Sequence, residues 1–162
     1  MPGEIILRPL TAGDFARARE VADGWFGHPV GLTMHRLFFD QLGSWGVVAE
    51  TSDDPARMVG VLLGLRSLPE PDLAYVHFHM VDPERRGEGL GRALYVEFAR
   101  RMAADGCTRI RALAAPQRTG SVRFHRALGF VGEVHLGYLG PDQDRIVFER
   151  ALPLDEAPPE PH

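Results

Sequence analysis

Residues 81–94 read VDPERRGEGLGRAL, in which an apolar strand pattern ends, two arginines follow and three glycines alternate just before an amphipathic helix. The first N–H groups of a helix have no partner within it, and the aligned peptide dipoles add partial positive charge there. Gly87, Gly89 and Gly91 lack a Cβ, so they can adopt backbone angles that other residues avoid and leave adjacent N–H groups open to an anion. A strand that enters a helix through such a turn reads as a cradle for a pyrophosphate. Taken by itself, this segment also reads as a glycine-rich turn with two solvated arginines.

Elimination narrows the kind of phosphate loop. A P-loop needs a lysine that reaches the terminal phosphates, and the chain has no lysine. The dinucleotide fingerprint G-x-G-x-x-G fails by one residue, because the third glycine is Gly91 and position 92 is Arg92. What remains, Arg86-x-x-Gly89-x-Gly91 between a strand and a helix, resembles the coenzyme A pyrophosphate loop of the GNAT superfamily of N-acetyltransferases. The resemblance implies coenzyme contacts from Arg86, Gly87, Glu88, Gly89, Leu90, Gly91 and Arg92. Backbone donors dominate such loops, so Glu88 is expected to offer only its N–H, and the side chains of Arg85 and Arg86 are auxiliary.

A chain of 162 residues is long enough for one domain with a real core. Its N-terminus has no basic region followed by a long apolar stretch, and no apolar run approaches membrane-spanning length, which predicts a cytoplasmic protein without a membrane partner. The net charge is −4 and all 18 basic residues are arginine, without the clustered excess that nucleic acid binding needs. The same negative charge favours a cationic acceptor. The single Cys107 excludes an intramolecular disulfide and a multi-cysteine zinc cage, and without lysine there is no Schiff base. His28 and His35 lack metal-ligand spacing, and no metal is expected.

Periodicity predicts a strand at 4–9 and then a helix announced by Thr11-x-x-Asp14, a capping-box spacing. Phe15, Ala18, Val21, Ala22 and Trp25 give that helix one apolar face until Gly27-His28-Pro29 breaks it. A short helix at 33–42, a hairpin of strands at 45–50 and 58–65, and a strand at 73–81 follow. Leu94, Phe98 and Met102 mark the helix after the glycine loop, which Gly106 closes. Next come a strand at 108–115, a helix at 121–128, and strands at 130–138 and 146–152. This order resembles the whole GNAT fold over residues 4–153. The expected class is therefore α/β (α+β), a single domain with a mixed, mostly antiparallel sheet of about seven strands flanked by about four helices. Domain limits of 1–153 leave an acidic, proline-rich tail at 154–162 that is expected to be disordered.

Residues 121–130, SVRFHRALGF, are similar to a second GNAT segment, which ends in Gly-Phe or Gly-Tyr. Most members carry a tyrosine four residues before that glycine as general acid. Here the position is His125, as in members similar to phosphinothricin acetyltransferase. An asparagine that often contacts the coenzyme falls on Arg118, which becomes a candidate contact.

The activity implied is attack by a primary amine on the thioester carbon of acetyl-CoA, with no covalent enzyme intermediate. Oxyanion donors are expected from the splayed strand near Met80 and Val81, and His125 is expected to protonate the departing thiolate. The amine, an ammonium ion at neutral pH, must first lose a proton. Period-two alternation puts Tyr75, His77 and His79 on the same face as Val81. Either histidine can then be the base, with His77 preferred; alternatively both are structural and water relays the proton. The acceptor is a small-molecule amine, an amino acid or a peptide N-terminus. Trp25, Phe26, His28 and Trp45 are candidates to line its pocket, with core packing the competing role for both tryptophans. Two other classes stay open: a catalytically weak acyl-CoA-binding regulatory module and, disfavoured by the missing lysine, a nucleotide switch. The resemblance also implies a homodimer, with no interface located.

Overall fold

Apolar runs become the strands β1 (Ile5–Pro9), β2 (Val47–Thr51), β3 (Met58–Arg66), β4 (Leu73–Val81), β5 (Arg109–Ala114), β6 (Val131–His135) and β7 (Arg145–Ala151). The computed structural model describes residues 3–53 and 55–154, and in it these strands form one seven-stranded sheet ordered β1-β2-β3-β4-β5-β7-β6. Every neighbouring pair is antiparallel except β4 and β5. A parallel pair needs a crossover, and α3 (Leu90–Ala104) supplies it. The other helices are α1 (Asp14–Phe26), α2 (Arg36–Leu42) and α4 (Thr119–Ala127).

The sheet is covered on both faces. One layer joins Ala18 and Ala22 of α1 and Phe39 of α2 to Val48, Val61, Leu63, Phe78 and Met80. The other joins Leu94, Phe98 and Met102 of α3 and Val122 of α4 to Val47, Leu62, Val76, Ile110 and Phe148. β3 lies between both layers, so it is buried without alternation from Met58 to Leu63. Gly64 has no room for a side chain because the Phe98 ring lies against it. β6, at the far edge, is exposed along its whole length.

The predicted elements appear with shifted ends. The capping box forms in part: the Asp14 carboxylate accepts from the Thr11 N–H at 2.8 Å and from the Thr11 hydroxyl at 3.1 Å. Arg8 and Arg17 also reach that carboxylate, at 2.8 and 2.9 Å. Burial would raise the pKa of Asp14, but these hydrogen bonds reverse that effect and hold the carboxyl well below its usual range. The helix expected at 33–42 divides into a 3₁₀ turn, Gly31–Met34, and α2, because His35 accepts from the Leu37 N–H at 3.0 Å and starts the helix there. The strand expected at 130–138 stops at His135. Gly137 turns away at positive φ, and its N–H is held by Asp144 at 2.7 Å.

Trp25 and Trp45 are half-buried and pack against the two cores. Leu154 is buried in the α3/α4 core, so packing extends one residue into the segment that the sequence assigns to the tail. The rest of that expected tail, residues 155–162, lies outside the described residues. No helix among the described residues is long and apolar enough to cross a membrane.

Candidate active site

The site grows from a defect in β4. Leu63 pairs with Phe78 and Gly64 with Val76, so His77 is an extra residue on β4. Such a bulge reverses the alternation of side chains. Before it, Ala74 and Val76 point into the α3/α4 layer; after it, Phe78 and Met80 point into the α1/α2 layer. The expectation that His77 and His79 share a face is thereby corrected. His77 packs on Phe38, with ring centroids 4.5 Å apart, and its Nε2–H donates to the Thr33 carbonyl at 2.7 Å. His79 lies on the opposite side, stacked on Phe124 at 4.9 Å and edge-on to Tyr95 at 5.0 Å.

The bulge also opens the sheet. β4 pairs with β5 only from Leu73↔Arg109 to Val76↔Ala112, although β4 runs on to Val81 and β5 to Ala114. The Asp82 N–H donates to the Val59 carbonyl at 2.9 Å, which fixes the order in which backbone groups alternate. Met80 therefore turns its backbone to β3, opposite Val61, and its side chain into the α1/α2 core. His79 and Val81 turn their N–H groups to the open side. The backbone N–H of Met80, expected in the gap, thus faces β3, whereas those of His79 and Val81 face the open side.

After β4, the Asp82 side chain accepts from the Glu84 N–H at 3.0 Å and ends the strand in a 3₁₀ turn, Pro83–Arg85. Gly87 and Gly89 have φ near 82° and 81°, where only glycine rests without strain, and a Cβ on either would meet nothing within 4 Å. Gly91 plays a different part: it is already helical, and a Cβ there would lie 3.0 Å from the Phe124 ring, so it lets α3 approach α4. Leu90, Gly91 and Arg92 form the first turn of α3, whose N–H groups have no partner within the helix. The Glu88 carboxylate accepts from Arg85 at 2.7 Å and leaves the loop only its backbone, while Arg86 donates to the Trp25 carbonyl at the end of α1, at 2.6 Å.

Two cavities flank this framework. The first, about 280 Å³, passes through the gap between β4 and β5, with Thr33 and Phe78 on one side and Tyr95 and His125 on the other. The second, about 600 Å³, lies behind the glycine loop, lined by Val81, Gly87, Gly89, Gly91 and Arg92. Phe26, His79, Arg118 and Ser121 line both, so the two meet there. Phe26 and His28, candidates for the acceptor pocket, border the first cavity; the tryptophans do not.

His125 is almost fully buried, 1% exposed. One ring nitrogen, Nδ1, is 2.7 Å from the Ser121 carbonyl, which can only accept, so the proton sits on Nδ1. The other, Nε2, then accepts from the Tyr95 hydroxyl at 2.7 Å. Tyr95 is a functional candidate that sequence reasoning missed. It sits on the buried face of α3, where the spacing of Leu94, Phe98 and Met102 does not single it out, although a buried phenol needs a hydrogen-bond partner. Burial lowers the pKa of His125 and of His77, and burial together with the charge of His125 lowers His79 to about 3. Burial thus disfavours the charged form of His125. All three imidazoles rest neutral at pH 7. Cys107 is buried and its thiol is pushed up by burial, which makes it a poor nucleophile.

A profile of the acetyltransferase (GNAT) family matches residues 15–130. No curated protein matches the sequence. Several solved structures share the fold. The diaminobutyrate acetyltransferase of Paenibacillus lautus, solved with L-2,4-diaminobutyric acid and coenzyme A, superposes with a TM-score of 0.72 at 21% identity, covering 96% of this chain and 98% of that one. The phosphinothricin acetyltransferase of Sinorhizobium meliloti, solved with acetyl-CoA, gives 0.71 at 23% identity over 96% and 94%. The ribosomal-protein-S18-alanine N-acetyltransferase of Escherichia coli gives 0.75 at 16% identity over 98% and 99%.

Proposed function

Because the chain belongs to the GNAT acetyltransferase family, we propose that it transfers the acetyl group of acetyl-CoA to a primary amine of a small molecule or peptide by direct attack. The observation that carries this reading is the meeting of the two cavities at Phe26, His79, Arg118 and Ser121. One cavity offers a phosphate cradle and the other a chamber walled by imidazoles. The cradle suits a diphosphate on its own chemistry: left-handed glycines with open space beside them, first-turn N–H groups, and the guanidinium-bearing Arg85, Arg92 and Arg118 on the wall. Neighbours of the same fold were solved with acetyl-CoA or coenzyme A, which agrees with that fit.

The donor supplies a thioester carbonyl, and the residues of this chain supply the rest. The N–H groups of Val81 and His79, turned into the gap, are placed to hold an oxyanion. The pair formed by Tyr95 and His125 is poised to receive a proton, because the hydroxyl already donates to a free imidazole nitrogen. The phenolic oxygen takes a proton from the acceptor's ammonium nitrogen while His125 Nε2 takes the phenolic proton. Reversal of both transfers delivers that proton to the leaving sulfur as the C–N bond forms and the C–S bond breaks, and the second proton of the attacking nitrogen passes to water, leaving a neutral amide. His125 thus acts first as proton acceptor and then as acid, through Tyr95. His77, tied by Nε2–H to Thr33, holds the segment between α1 and α2 over the cavity, and His79 forms a neutral wall.

Thiol release from acetyl-CoA with a panel of amines tests the activity; tight binding of acetyl-CoA without turnover would point to the binding module instead. Tyr95→Phe is expected to lower kcat about a hundredfold with the affinity for acetyl-CoA unchanged. The acid limb of kcat/KM is expected below pH 6.5, since His125 must be neutral to accept and its pKa is shifted down, and His125→Gln should abolish that limb. An unchanged profile in both variants would remove the pair from the mechanism.

A further inference from the structure

The chamber beyond the shared mouth carries a sign opposite to that of the whole molecule. The net charge is −4, yet among the described residues no Asp or Glu lines the first cavity, whereas Arg118 and Arg145 do. Arg118 also borders the cavity behind the glycine loop, so it is available to a donor phosphate; Arg145 borders the first cavity alone. Arg145 opens β7 and lies opposite His135 of β6, half-buried. Its Nη1 donates to the Asp144 carbonyl at 2.7 Å, which anchors the side chain, and it forms no ion pair among the described residues. Several other arginines behave otherwise: Arg8, Arg57, Arg109 and Arg111 each bind a carboxylate within 3.0 Å, whereas Arg150 of β7, like Arg145, donates to backbone carbonyls.

We infer that Arg145 anchors an anionic group of the acceptor, so that the substrate class is an amino acid or a close analogue, an amine bearing a carboxylate or another oxyanion on a short skeleton. This rests on the acetyltransferase reading and narrows it. A guanidinium is always charged and matches an oxyanion in bidentate geometry. In a cleft with low-dielectric walls, the same two arginines repel a polyamine, and no lining carboxylate offers its second ammonium a partner. The volume of about 280 Å³ suits one amino acid more than an extended peptide. With the anion held at Arg145, the amino group is left to point toward the mouth at His79 and Ser121.

The test is thiol release from acetyl-CoA by the full chain, with amino acids, the matching aminophosphonates, the matching α-amides and decarboxylated amines as acceptors. Carboxylate or phosphonate acceptors are expected to exceed their amides by about ten- to a hundredfold in kcat/KM, and the two anionic series tell which oxyanion is preferred. Arg145→Ala should raise KM for those acceptors by a similar factor and leave KM for acetyl-CoA unchanged, with partial recovery in Arg145→Lys. Equal use of amides and amines, or an Arg145→Ala effect that is the same for charged and neutral acceptors, overturns the inference while the acetyltransferase reading stands. Thiol release only with peptide N-termini does the same. A panel in which no acceptor releases thiol, with acetyl-CoA bound, sinks both.

Discussion

A neutral imidazole at position 79 is what its packing requires. His79 lies between the Phe124 and Tyr95 rings, near His125, and burial with the neighbouring charge lowers its pKa from 6.5 to about 3. The unfolded chain therefore binds more protons than the folded one between those values, so stability is complete above pH 6.5 and declines as pH falls below it. By that linkage His79 alone removes up to about 2 kcal/mol at pH 5, with His77 and His125 acting in the same direction. Thermal melts from pH 7.5 to pH 5 should fall steeply in the native chain and less in His79→Phe, which keeps the ring and removes the titration. Equal slopes would show that the histidine does not titrate against folding. His125 was legible in the sequence because its spacing from Gly129 follows a pattern, whereas its partner Tyr95 was not, because helical periodicity treats a buried tyrosine as one more apolar residue.

Elements were legible where local chemistry decides them. β4 runs over the residues predicted for it, and α3 begins at Leu90, within the glycine run and one turn before the stripe of Leu94, Phe98 and Met102. The bulge at His77 was not legible, because it arises from how β4 is paired with β3, and a lone strand carries no trace of that offset. It decides which face one histidine takes and which backbone N–H groups look into the gap. The loop before α3 yields a sharper expectation. Gly89 caps α3 at φ 81°, and an added methyl group would meet no protein atom within 4 Å. Gly89→Ala should leave the fold intact at a cost of about 1–2 kcal/mol for the left-handed backbone. Its affinity for acetyl-CoA should fall about tenfold or more, since the methyl enters the space on which the amides open. Calorimetry of the variant beside the native chain checks both, and unchanged affinity would place the phosphates elsewhere.

At the scale of the molecule, the sign of the acceptor chamber could not be read from the sequence. Net charge sums over a surface on which most arginines are neutralised by neighbours, and only folding shows that Arg145 is not. The mixed, mostly antiparallel sheet followed from the order of elements, but the insertion of β7 between β5 and β6 did not; the one parallel junction, β4 with β5, lies where the crossover helix does. That junction has a mechanical side. Along the sheet itself, four paired residues near one end join the half holding β1 to β4 to the half holding β5, β7 and β6. A molecule lodged along the unzipped length acts as a splint across the seam, bracing both halves against coming apart. The melting temperature should then climb with acetyl-CoA concentration, by an amount corresponding to about 2.7 kcal/mol at a hundred times Kd, and amide exchange at His79 and Val81 should slow before it does in β1 or β6.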